Sequence, residues 1–199
     1  MKSASEPWYD SCRRGFRGKK RLHSLAAIVR DYSHRHRPKT IRELQYFRDL
    51  PTLDAAISDA GRARYYDGKR HKRYSHQRRI PQEALERATK RLRRANLKEA
   101  QCFAELIERV QAAVRHVHGI GELYVYDTAF RLGGHLELLP DQVYLHAGTR
   151  QGARALSLDH RSGSVSPQHL PILFQRLKPH EIEDVLCIYK DWLRSAANA

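Results

Sequence analysis

Apolar residues recur along this chain mainly at helical spacing, with turn residues between the runs. The strict alternation of a half-buried strand is scarce. The pattern predicts an all-α protein, a compact multi-helix domain. Its clearest stripe is Phe103, Leu106, Ile107, Val110, Ala113, Val114 and Val117, one core-facing side of a helix. Leu22, Leu25, Ala26 and Val29 predict a short first helix, closed by the basic run that ends at Pro38. Thr40 and Glu43 have capping-box spacing and predict a helix start before Leu44 and Phe47. Pro51 and Thr52 open another helix, with Leu53, Ala56, Ile57 and Ala60. Residues 61–80 read as a basic, tyrosine-bearing connector centred on Asp67-Gly68.

Pro81 suits the first turn of a helix reaching about Leu97, with Leu85, Ala88 and Leu92 opposite a row of cations. Farther on, Ser166-Pro167 predicts a helix bearing Leu170, Leu173, Phe174 and Leu177. Pro179 then opens the last one, with Ile182, Val185, Leu186, Tyr189, Trp192 and Leu193.

Charge changes the picture. The 199 residues carry a formal net charge of +15. Residues 1–100 hold 27 basic and 11 acidic residues, whereas residues 101–199 hold 10 and 11. A self-repelling half of this kind points to a polyanionic partner, most often nucleic acid. The length suits a basic N-terminal arm with a short helix over residues 1–38 and a helical domain over residues 39–199. No apolar run approaches the roughly 18 residues of a membrane helix, so no membrane partner is expected. The first residues lead into no apolar segment, and no secretory signal is expected. Cys12, Cys102 and Cys187 lie far apart and form no CxxC pair, which fits a reducing cytoplasm.

The chemistry is sought first where the strongest helix ends. Val114 and Val117 lead into Gly119-Ile120-Gly121, and Val125 follows four residues on. These residues resemble a helix-hairpin-helix motif, here over about residues 103–136. Glycines allow the tight hairpin, and Ile120 plugs between its helices. The resemblance implies that the second helix turns its N-terminal N–H groups toward a DNA phosphate, holding backbone without reading sequence. It also implies a monovalent cation at the hairpin. Glu122 departs from the pattern, since an acid there favours the helix end but not a phosphate.

More distantly, the arrangement is similar to the endonuclease III-like DNA glycosylases. That likeness implies a carboxylate near the hairpin. Asp141 matches by offset, and Asp127 is the second choice, with Tyr144 and His146 beside a pocket. The position of the catalytic lysine holds Leu123, and the four-cysteine cluster is absent.

Other expectations follow from the residues alone. Lys69, Arg70, Lys72, Arg73, Arg78 and Arg79, interleaved with Tyr65, Tyr66 and Tyr74, form a patch suited to phosphates and exposed bases. Arg91 and Arg94 extend the basic field. Arg150 and Arg154 share one helix face after Thr149, a predicted cap, and suit a phosphate clamp. The twelve histidines show no His-Glu-x-x-His spacing, and no metal site is expected from sequence. The reading favours a duplex-DNA-binding protein over an RNA-binding one, with a divergent glycosylase or lyase as the catalytic alternative.

Overall fold

The computed structural model describes residues 22–199, so the expected basic arm over residues 1–19 lies outside the described residues. The described chain is mostly helical. In order it forms α1 (Leu25–Arg35), α2 (Arg37–Arg48), α3 (Leu53–Gly61), β1 (Arg64–Tyr66), β2 (His71–Arg73), α4 (Gln82–Leu92), α5 (Phe103–Val114) and α6 (Glu122–Leu136). Then come β3 (Val143–Tyr144), α7 (Ala147–Ala155), β4 (Ser164–Val165), α8 (Pro179–Ile188) and α9 (Lys190–Ala197). Helices α2 to α6 surround one core, with Phe47, Ile57, Leu85, Phe103, Leu106, Val110 and Leu132 at its centre. Helices α1, α7, α8 and α9 surround a second, with Ile28, Tyr32, Phe174, Ile182, Val185, Leu186 and Leu193.

Local chemistry sets these elements. Thr52 caps α3 by accepting from the N–H of Ala55 at 3.1 Å. On α4, Ala84, Leu85, Ala88, Thr89 and Leu92 are buried, and the cations lie opposite. Most of α6 from Tyr126 to Gly134 is buried on every side, as befits a helix enclosed by neighbours. Helices α7 and α8 meet at Gly152, where an added Cβ would stand 2.2 Å from the Leu186 carbonyl oxygen. Any side chain there forces the two helices apart.

Several expectations are redrawn. The segment over residues 61–80 holds a β-ribbon, with Tyr65 opposite Lys72 and a turn at Asp67-Gly68. Asp67 accepts from the N–H groups of Lys69 and Arg70, and Gly68 supplies a φ of +91°. A second ribbon pairs Val143 with Val165. Helix α2 starts at Arg37, not after Thr40, because Pro38 is tolerated in a first turn. Thr40 instead donates its hydroxyl to Asp184 at 2.9 Å.

Helix α4 stops at Leu92, and Asn96 turns left-handed with φ 47° before a short turn at Leu97–Glu99. The helix expected from Ser166 is one 3-10 turn, Pro167–His169. The expected last helix divides at Tyr189 into α8 and α9. Helix α1 is no part of a separate arm in its packing, since Ile28 and Tyr32 are fully buried in the second core. No helix among the described residues is long and apolar enough to cross a membrane.

Candidate functional site

Helix α5 carries a groove on one flank and a cleft on the other. The groove, about 730 Å³, is lined by Arg87, Lys90, Arg91, Arg94 and Ala95 from the α4 side and by Arg109, Ala112 and Ala113 of α5. The small alanines leave its floor open. Arg87 reaches Glu83 at 3.8 Å and Arg109 reaches Glu99 at 3.4 Å. Exposed pairs of this kind hold their cations weakly. Lys90, Arg91 and Arg94 have no acidic partner among the described residues.

The cleft, about 690 Å³, lies between α5, the start of α6, and the β3–α7 junction. Ile107, Val114, Ile120, Val125, Tyr126 and Tyr144 make its apolar and aromatic walls. Glu108, Arg115, Glu122, His146 and Arg150 supply its polar groups. Burial pushes the Tyr144 hydroxyl up to about 12, helped by the charge of nearby Asp141, so it stays a donor at neutral pH. Burial carries the Tyr126 hydroxyl well above its ordinary range. Arg150 and Glu122 form a two-pronged ion pair at the mouth, tying α7 to the first turn of α6.

The Gly119-Ile120-Gly121 turn joins α5 to α6. Gly119 has φ +87°, a conformation other residues rarely adopt, and packs near Pro81 and Ala84 at the start of α4. Gly121 has an extended φ of −118° and caps α6 without a side chain. An added Cβ there would meet nothing within 4 Å, so its bareness is not forced by packing. Ile120 is half-buried against the first core.

The remaining sequence-predicted residues scatter. Lys69 and Arg70 stand exposed at the ribbon tip, and Arg78 and Arg79 are exposed after it. Lys72 is paired with Asp67 at 2.5 Å, and Arg73 is bonded to the Ile80 carbonyl and Gln82. Arg154 is exposed on α7. Asp141 is exposed and Asp127 is buried, and neither lines the cleft. Tyr144 and His146 both do.

A buried polar seam runs behind the cleft. Asp127 accepts from His76 Nε2 at 2.6 Å and from Gln77 Nε2 at 2.8 Å. Arg131, fully buried, donates Nε to Glu43 at 2.7 Å and Nη1 to Gln77 at 2.9 Å, with its guanidinium 3.7 Å over the Tyr74 ring. Burial alone would raise the Asp127 carboxyl. The charges of His76 and Arg131 outweigh it and hold the group below its ordinary range.

The seam continues at His146, which N-caps α7 where Thr149 was expected to do so. The His146 N–H donates to Thr149 Oγ1 at 2.6 Å, leaving Thr149 as the third residue of the box. His146 Nε2 and Glu183 Oε1 are 2.5 Å apart. Nδ1 lies a longer 3.3 Å from the Gly148 N–H, so in the neutral ring Nδ1 accepts there and the proton sits on Nε2. Burial lowers the basicity of His146, but the bond to and charge of Glu183 prevail and raise it to about 9. Burial raises the Glu183 carboxyl as well.

Sequence reasoning named His146 and Asp127 but missed Glu183, Cys187, Glu43, His76 and Arg131 as their neighbours. The i, i+4 spacing of Glu183 and Cys187 was a readable signal for one helix face. Comparison with known protein families, curated proteins and solved structures gives no match.

Proposed function

We propose that this protein binds nucleic acid, with duplex DNA favoured, through the phosphate backbone. The observation that carries the reading is the α4–α5 groove, where Lys90, Arg91 and Arg94 stand without acidic partners among the described residues. Three unpaired cations beside two weakly held arginines repel one another. An anionic occupant relieves that repulsion and releases its counterions. Phosphates repeated along a strand suit a groove of this length better than an isolated carboxylate does. The Gly119-Ile120-Gly121 turn supports the reading, because α4 packs on it and the start of α6 is bare of side chain at Gly121. A cation held at that hairpin belongs to the family resemblance alone.

The catalytic alternative required Asp141 or Asp127 in the cleft. The carboxylates that line it are Glu108 and Glu122 instead. The binding reading therefore stands ahead of a glycosylase reading.

The test is duplex-DNA affinity against salt for the wild type and for Lys90→Gln/Arg91→Gln/Arg94→Gln. Each phosphate contact contributes about 0.9 to the slope of log affinity against log salt, so the triple variant should lose about 2.7. An unchanged slope removes the groove from the interface. Gly121→Ala is a clean companion, since it adds a methyl group into open space. Competition with structured RNA and single-stranded DNA settles the class, and a preference for RNA overturns the duplex reading.

A further inference from the structure

We propose that His146, Glu183 and Cys187 form a binding site for a zinc-class divalent metal ion. A ring nitrogen of His146, a carboxylate oxygen of Glu183 and the Cys187 Sγ all lie within 4.8 Å of one another. The fold fixes each donor. His146 is held at the N-cap of α7 by its bond to Thr149. Glu183 and Cys187 stand one turn apart on α8 and so share a face. The close approach of α7 to α8 at Gly152 brings the two helices into register.

A second observation concerns how closely the donors are packed. A Cβ on Gly148 would sit 2.8 Å from the Cys187 Sγ and 3.5 Å from Cε1 of the His146 ring. Glycine at this position lets the α7 backbone lie against the thiol and the Cε1–Nδ1 side of the ring. Any other residue would press on the thiol and displace it.

The donor set selects the ion. Zinc takes sulfur at about 2.3 Å, and nitrogen and oxygen at about 2.0–2.2 Å, in a tetrahedral array. Ligand atoms on such an ion stand roughly 3.2–3.6 Å apart by that geometry. The donors already stand near that spacing, with His146 and Glu183 2.5 Å apart and all three within 4.8 Å of one another. The ion takes the place of the proton on Nε2, and the pair opens by less than about 1 Å. Thiolate and carboxylate together balance a double positive charge. A thiolate ligand disfavours magnesium and calcium and suits zinc or cobalt. Three protein donors leave one position for water. His146 borders the cleft, so that water has a route in. None of this depends on nucleic-acid binding.

The site was hidden from sequence because His146 lies 37 residues from Glu183, outside any chelating spacing. The competing account is a buried ion pair beside an inert thiol. The two are separated by titrating the chelator-treated full chain with cobalt and then zinc. The expected result is stoichiometric cobalt binding with a thiolate-to-cobalt charge-transfer band in the near ultraviolet, reversed by zinc. Zinc should also raise the melting temperature. Cys187→Ser should abolish the band and weaken zinc by about a hundredfold or more, since losing an outer-shell partner alone costs about 10–100-fold.

Cys102→Ser should leave both unchanged. Removing His146 or Glu183 strips a buried partner and endangers the fold, so the thiol variant is decisive. Its melting temperature in chelator should match that of the wild type. Absence of the band in the wild type overturns the proposal. So does a band that survives Cys187→Ser.

Discussion

The polar seam behind the cleft has two ends, and they treat the same pair of residue types differently. At one end, in the first core, His76 meets Asp127. That carboxylate also accepts from Gln77, and Arg131 stands 3.6 Å away. Arg131 in turn is held by Glu43, Gln77 and the Tyr74 ring. At the other end, His146 meets Glu183 beside a thiol, at the edge of the cleft. Nearby Asp127 adds negative charge rather than a hydrogen bond. The first pair shares its carboxylate with Gln77 and Arg131. In the second, the ring also meets the Gly148 N–H, but among the described residues the Glu183 carboxylate bonds His146 alone and has a half-buried thiol beside it. The number of donors that share the carboxylate, more than the pair itself, separates a structural pair from one available for chemistry.

The largest expected effect lies at the Asp127 end. Arg131→Met leaves Glu43 and Asp127 buried without their cation and should destabilise the fold by about 3–5 kcal/mol. Glu183→Gln keeps an oxygen acceptor for the His146 Nε2–H, and should cost about 1–2 kcal/mol. Urea denaturation of both variants measures the contrast. Equal losses would mean that both ends are structural.

A third buried histidine sharpens the point. His180, in the first turn of α8, packs its ring 5.2 Å from that of Phe130. Its Nδ1 has no hydrogen-bond partner among the described residues. Burial drives its basicity down to about 4, with Lys178 and Arg37 adding to the effect and Glu181 opposing it. The unfolded chain therefore takes up this proton first as pH falls. Stability from this group is complete above its ordinary pKa of 6.5 and declines until about 4. The loss is on the order of 3 kcal/mol. Comparing urea midpoints at about pH 7 and about pH 4.5 isolates it, because His180→Leu should flatten the dependence relative to wild type. A parallel pH profile in the variant would show that the ring is charged in the native state.

Which of these features the sequence could disclose follows from their range. Thr52, Pro81 and Pro179 act within one helical turn, and the starts of α3, α4 and α8 were legible from them. The stripe from Phe103 likewise revealed the core side of α5. Thr40 and Glu43 misled because their local spacing suited a cap, while the fold used both at long range. Thr40 bonds Asp184 on α8, and Glu43 bonds Arg131 on α6. Asp127 was named as a second-choice carboxylate from its place after the hairpin, and its bonds to His76 and Gln77, 51 and 50 residues away, lie beyond any local spacing. The ribbon at Arg64–Arg73 was read as a connector because its strands are three residues long, too short for alternation to register. Of the cleft, Tyr144 and His146 were named from their place after the hairpin. Glu183 and Cys187 come from a helix read as packing alone.

A smaller effect probes the metal-binding end directly. Gly148→Ala crowds the Cys187 Sγ and should cost about 1 kcal/mol, the overpacking penalty less the gain in helix propensity. In a Cys187→Ala background the crowding is gone and the propensity remains. The same alanine should then stabilise by up to about 1 kcal/mol. This double-mutant cycle yields a coupling between the two positions. Additive effects would show that Gly148 is not there to make room for the thiol.

The smallest effect belongs to the cleft mouth. Glu122 is 63% exposed at its side chain and Arg150 31%, so their ion pair contributes little to stability. Glu122→Ala should shift the urea midpoint hardly at all. Its consequence lies in binding. The substitution removes an acid from the first turn of α6 and frees Arg150 to face the same ground. If a phosphate approaches the bare start of α6 at Gly121, its affinity should rise about threefold, the scale of one charge at a helix end. Unchanged affinity would place the strand elsewhere, along the α4–α5 groove and away from the hairpin. The two flanks of α5 would then have separate tasks, the groove for phosphates and the cleft for another ligand.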